Sequence, residues 1–132
     1  FGALLELLRR TPLPARGFLL HGYGGPAEMI PEFTRLGARY SFNIELLAPR
    51  LAARRENFRT LPLERLLVET DAPTKPPPAE RNRFPLPPAA DGSAVNHPAN
   101  IAVTYAALAE LRGLSPASLA AQVETNFLRL FG

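Results

Sequence analysis

Three strand-sized runs alternate with helix-length segments along this chain, and that alternation leaves few folds open. The runs are residues 17–20, 38–43 and 66–71. The first, Gly-Phe-Leu-Leu, is apolar and ends on His21 before a glycine-rich stretch, Gly22-Tyr23-Gly24-Gly25. Such glycines mark a sharp turn where backbone can approach a ligand. The second run alternates polar and aromatic residues with a period of two, the mark of a strand. The third, Leu-Leu-Val-Glu-Thr-Asp, becomes acidic at its end. Strands separated by helices form parallel βαβ units. Three strands are too few for a doubly wound sheet or a closed barrel, so they suit a part of one.

The intervening segments carry helix punctuation. Residues 1–10 place Leu4, Leu5, Leu7 and Leu8 on one broad face, with Glu6, Arg9 and Arg10 off it. They read as the middle of an amphipathic helix, so a preceding segment is expected. Thr11-Pro12-Leu13-Pro14 breaks that helix. Pro26 opens a second helix running to about Leu36, where Gly37 is a natural stop. Residues 44–60 read as a third, with a charged face. A fourth spans residues 98–112 and stops at Gly113; Ser115 and Pro116 cap a fifth that runs to the closing Phe131. Between residues 72 and 96 lies a segment with seven prolines. It is too long for a mere connector, so it is functional, a wall, or disordered.

With 132 residues, 46% of them apolar, the chain can build one modest domain. It has no cysteine, which excludes disulfides and thiolate zinc sites and fits a reducing compartment. No apolar run approaches the roughly 18 residues of a membrane span, so a cytoplasmic protein without a membrane partner is expected. The net charge is +3, and fourteen of the fifteen basic residues are arginine. They are spread out, which suits solvated helix faces; a phosphate-binding surface is the sharper alternative.

Two strand ends carry chemistry. On an extended strand Leu67, Glu69 and Asp71 share one face, and two carboxylates there are costly unless a cation or hydrogen-bond donors compensate them. Partnered structural acids would satisfy that need as well. Asp71 closes the third strand, and in barrels and open α/β sheets active sites form at that end. His21 closes the first strand in the same way. A lone strand-end histidine is more often structural than a metal ligand; paired with an acid at an equivalent end it is more often a ligand. Imidazole plus carboxylate suits zinc or manganese and, less well, magnesium.

The stretch Leu-Leu-Val-Glu-Thr-Asp-Ala-Pro, residues 66–73, resembles the strand-and-loop motif of TatD-like hydrolases, a metal-dependent nuclease family built on a TIM barrel. Leu61-Pro62-Leu63-Glu64-Arg65 resembles the lead-in to that strand, and His21-Gly22-Tyr23-Gly24-Gly25 the family's His-x-Phe-x-Gly element. Asn96-His97-Pro98-Ala99 is similar to its Asn-Glu-Pro helix entry, and residues 126–131 to its closing Asn-x-x-Arg-Leu-Phe. In family order these cover nearly the whole chain.

The resemblance implies an α/β fold: the C-terminal half of a TIM-type (β/α) barrel, three parallel strands with flanking helices, one half-barrel unit over residues 1–132. The N-terminal half, or a second copy, would complete it. It also implies a metal-dependent hydrolase cleaving phosphodiester bonds, a deoxyribonuclease with DNA as its nucleic-acid partner, using a divalent zinc, manganese or magnesium ion. His21 and Asp71 would be the metal residues. Asp71 would take a proton from the attacking water, and Glu69 would stand one layer deeper as an orienting acid. The family's further ligands lie on earlier strands and are absent here. His97 departs from the usual glutamate and reads as a helix-entry surface residue rather than a substrate contact. Arg81 and Arg83 read as solvated loop arginines. Two alternatives stay open: an esterase or deacylase of the amidohydrolase type, and a degenerate barrel that is not an enzyme. Leu19 and Leu67, on the face a barrel would enclose, are expected to meet water in this chain alone.

Overall fold

The computed structural model describes residues 1–132. Its elements run α1 (Gly2–Arg10), β1 (Phe18–Leu20), α2 (Ile30–Arg35), β2 (Ala38–Phe42), α3 (Ala52–Thr60), β3 (Leu66–Val68), α4 (Ile101–Arg112) and α5 (Pro116–Phe131). The strands form one parallel sheet in the order β1-β2-β3, with Leu20 opposite Tyr40 and Phe42 opposite Val68. No helix is long and apolar enough to cross a membrane.

Alternation along β2 sorts the two faces of the sheet. Ala38, Tyr40 and Phe42 are fully buried. Tyr40 makes edge contact with Tyr23, Phe42 does so with Phe58 of α3, and the Tyr40 hydroxyl lies 2.8 Å from Thr34 Oγ1 on α2. This is the helix-covered face. Arg39, Ser41, Leu19 and Leu67 point the other way. Leu67 does not meet water as expected: it is only 5% exposed. An apolar cleft of about 350 Å³ joins Leu19 and Leu67 to Tyr105 of α4 and to Val123, Phe127 and Phe131 of α5. Those helices shelter the face beyond the third strand, while Leu19 stays half-buried.

Helix α5 is tied to the sheet by one side chain. Asn126 is fully buried, and its Nδ2 donates to the carbonyls of Leu63 (2.9 Å) and Leu66 (2.8 Å). The Leu63 carbonyl also accepts from the Leu66 N–H, so Asn126 adds a second donor there and supplies one to the Leu66 carbonyl at the start of β3. Ser115 caps α5, accepting from the Ser118 N–H with Pro116 at the first position, and Gly113 ends α4 in the left-handed region.

The helix expected over residues 44–60 is broken. Two 3₁₀ turns, Ile44–Leu47 and Pro49–Leu51, precede α3. Pro49 lacks an N–H and forces Ala48 into extended backbone (ψ 135°), which interrupts any helix. The strand expected over residues 66–71 stops at Val68, because its partner β2 ends at Phe42, directly opposite. Only the Glu69 N–H reaches on to the Phe42 carbonyl, at 3.0 Å.

Most of residues 72–96 has no regular structure apart from a 3₁₀ turn at Ala79–Arg81, yet its ends are pinned. The Asn96 N–H donates to the Pro73 carbonyl (2.8 Å), and Nδ2 donates to those of Thr70 (2.8 Å) and Lys75 (3.1 Å). Asn100 Nδ2 in turn donates to Asn96 Oδ1 and Asn82 Oδ1. The ends of the segment are thus pinned, with residues 70–75 locked against the end of β3, while residues 83–94 are exposed.

Candidate metal centre

His21 follows directly on β1, and Asp71 lies three residues beyond β3. Both stand at the C-terminal end of the sheet, on next-but-one strands. Their side chains converge. His21 Nε2 is 3.0 Å from Asp71 Oδ1, and His21 Nδ1 is 2.6 Å from Glu69 Oε2. One imidazole is therefore bracketed by two carboxylates, a nitrogen to each. The histidine side chain is 61% exposed, while the acids are 15% (Glu69) and 11% (Asp71) exposed.

Glu69 does not lie a layer behind Asp71. It reaches His21 directly, just past the end of the strand at Val68, and Asp71 two residues on adopts a left-handed φ of 56°. Aspartate tolerates that region better than most residues. The turn swings the Asp71 carboxylate round to the far nitrogen of the ring and leaves the near one to Glu69.

Gly22 makes room for this. Its φ is 54°, and a Cβ there would stand 3.1 Å from Asn43 Nδ2 and 3.5 Å from Glu69 Oε1. Its N–H donates to Ser41 Oγ at 3.0 Å, fixing the turn to the middle strand.

Two further residues complete the cluster, and the sequence reading named neither. Asn43 follows β2 as His21 follows β1, and it is 5% exposed. Its Nδ2 donates to Asp71 Oδ2 (3.1 Å) and to Glu69 Oε1 (3.3 Å), bridging the two acids. Its position at a strand end was the available signal, but a neutral amide there carries none of the weight that a histidine or acid does. Lys75, the only lysine, puts Nζ 3.1 Å from Asp71 Oδ2 and 3.3 Å from Glu45 Oε2. Hydrogen bonding to Asp71 holds its ammonium above the usual lysine range.

The donor set suits a divalent ion. One ligand atom each from His21, Glu69 and Asp71 lies within 4.8 Å of the others. Ligands about 2.05 Å from a tetrahedral ion sit roughly 3.3 Å apart, so the 3.0 Å between His21 Nε2 and Asp71 Oδ1 needs to open only slightly. Asn43 donates to both acids and Lys75 pairs with Asp71, which compensates the two carboxylates in part and leaves negative charge beside His21 for a cation to satisfy.

His97 stands apart from the cluster. Its Nδ1 accepts from the Ala99 N–H (3.0 Å), capping the turn that leads into α4, and its ring lies beside Phe84. Arg81 meets Glu110 at 3.7 Å on the surface.

The family model described as TatD related DNase matches residues 1–132. The chain belongs to the TatD family. Among its relatives, an uncharacterized metal-dependent hydrolase, YjjV of Escherichia coli, is 32% identical over 124 residues, covering 94% of this chain and 43% of the relative. The 3'-5' ssDNA/RNA exonuclease TatD of Citrobacter koseri is 35% identical over 134 residues, covering all of this chain and 47% of the relative. The crystal structure of the E. coli YjjV protein superposes with a TM-score of 0.80 at 29% identity, over 98% of this chain and 46% of that one. A TatD family hydrolase of Entamoeba histolytica shares the fold at 19% identity, with a TM-score of 0.62, over 86% of this chain and 42% of that one. The chain thus spans less than half the length of these relatives, and its three strands are a part of a TatD-type barrel.

Proposed function

We propose that this chain contributes part of the active site of a divalent-metal-dependent hydrolase that cleaves phosphodiester bonds in nucleic acid, with DNA as the substrate. The observation that carries the reading is the His21 ring held between Asp71 and Glu69 at the C-terminal ends of parallel strands. Relatives named as a metal-dependent hydrolase and as a 3'-5' ssDNA/RNA exonuclease support it.

His21 and Asp71 would hold the ion, zinc, manganese or magnesium, with the remaining donors supplied by barrel segments outside these residues. When bound, the ion supplies Lewis-acid activation of the phosphoryl group and of the attacking water. Asp71 accepts the proton as the water oxygen bonds to phosphorus. The P–O bond to the leaving group then breaks, and the leaving oxygen takes up a proton returned from Asp71 through solvent, giving a phosphate monoester and a hydroxyl. Glu69 accepts from His21 Nδ1, which fixes the ring tautomer and turns the Nε2 lone pair toward Asp71 Oδ1, as carboxylate–histidine pairs do around metals. Asn43 keeps the two carboxylates from drifting apart.

Two assays on the complete protein test the reading. Manganese added back after EDTA treatment restores cleavage of an oligodeoxynucleotide but not of p-nitrophenyl acetate. Faster turnover of the carboxyl ester would place the protein among amidohydrolase-type esterases instead, and no turnover of either would favour a barrel that is not an enzyme. In the same assay Glu69→Gln lowers cleavage about 10–100-fold, the range for loss of an orienting partner. Loss as deep as that of Asp71→Asn would promote Glu69 to a direct ligand.

A further inference from the structure

A second cavity, of about 250 Å³, shares His21 and Asn43 with the acidic cluster and is lined on its far side by Arg50, Arg54 and Lys75. Resting on the phosphodiester reading above, we propose that this cavity is a subsite for a second phosphate group, the one next to the scissile phosphate along the strand.

Charge decides against most other occupants. Three basic side chains face the cavity with a single carboxylate, Glu45, among its walls. Glu45 holds Arg50 Nη2 at 2.7 Å and Lys75 Nζ at 3.3 Å, and Lys75 also pairs with Asp71 at 3.1 Å, so two carboxylates fix these two cations and Arg54 is the one left uncompensated. Arg54 enters no ion pair and donates no hydrogen bond. Its guanidinium packs over Gly24, where an added Cβ would come within 3.2 Å of Nη1 and 3.4 Å of Cζ. A planar fork of donors, held by a glycine and left without an acceptor, suits a phosphate oxygen pair. Asn43 supplies an independent sign of an absent ligand. Its Oδ1 is buried and has no partner, while its Nδ2 is committed to Glu69 and Asp71. A terminal hydroxyl of the bound nucleotide would provide the missing donor once the amide turns Oδ1 into the cavity. A cation is unsuited among three others. A substrate with one isolated phosphodiester would leave the cavity's cations unused.

The subsite is tested by equilibrium binding to the complete protein in EDTA, where no turnover occurs. Three thymidine ligands are titrated calorimetrically: a dinucleotide with its one phosphodiester, the same dinucleotide bearing a 5'-phosphate, and a trinucleotide with two phosphodiesters. The two ligands with a second phosphate are expected to bind at least tenfold more tightly than the first, as charge-assisted hydrogen bonds require. Arg54→Ala should abolish that gain, and Arg54→Lys, which keeps the charge but not the fork, should restore part of it. A gain confined to the 5'-phosphorylated ligand identifies a pocket for a strand terminus; a gain for both identifies a pocket for any neighbouring phosphate. Equal affinity for all three ligands, or an Arg54→Ala loss shared equally by all, overturns the subsite. If the affinity pattern holds while metal-dependent cleavage is absent, the hydrolysis reading falls and the subsite stands.

Discussion

Asp71→Asn in the complete protein is expected to lower phosphodiester cleavage by at least 10²–10⁴-fold, the usual cost of removing a general base, with weaker metal binding adding to the loss. The carboxylate is used on both sides: Oδ1 faces His21 Nε2 at 3.0 Å, and Oδ2 accepts from Asn43 Nδ2 and from Lys75 Nζ, both at 3.1 Å. An amide cannot take a proton from water. Its oxygen can still accept from Asn43 and Lys75 while its NH₂ faces the His21 Nε2 lone pair, so the local contacts survive but the oxygen beside Nε2, the ligand and proton acceptor, is lost. The side chain is not part of the apolar core, and the unfolding midpoint should stay close to that of the parent. Retention of more than a tenth of the activity would mean that another group takes the proton.

Residues 1–132 prepared alone are expected to self-associate and to show only background cleavage. β1 and β3 each present one strand edge without a partner strand, and such edges invite pairing between copies. The apolar cleft between Leu67 and α5 lies beside β3, and Phe127, Leu128 and Phe131 are each more than half exposed. Phe1 and Leu7 add a second exposed apolar patch. With Glu69 orienting His21, the cluster supplies two ligands, His21 and Asp71, where a catalytic zinc site uses three protein ligands. Light scattering and a cleavage assay check both halves of the expectation. A dilute monomer with full metal-dependent nuclease activity would contradict the view that the rest of the barrel is needed.

How far the molecule was legible in its sequence varies with the physics of each feature. The alternation of strand and helix was plain because burial imposes periods of 2 and 3.6 on apolar residues, and β1, β2, α4 and α5 lie close to where those periods place them. The end of β3 was not legible, since a strand stops where its partner stops, and Phe42 opposite Val68 is a matter of register. The break at Pro49 was readable in principle but was outweighed by the helical charges around it. At the site, His21, Glu69 and Asp71 stood out as ionisable groups at strand ends. That Asp71 takes the far nitrogen of the His21 ring goes with its left-handed backbone, which alternation along a strand cannot anticipate. Asn43, Arg54 and Lys75 come to the site through the fold alone.

The central claim is that His21 and Asp71 hold a divalent ion. It is tested most directly by titrating the EDTA-stripped complete protein with manganese or zinc, beside His21→Ala and Asp71→Asn, and reading bound metal by calorimetry and elemental analysis. The account predicts that each substitution removes one bound ion per chain or weakens it at least 10–100-fold, with the fold preserved by circular dichroism. Unchanged stoichiometry and affinity in both variants would contradict it.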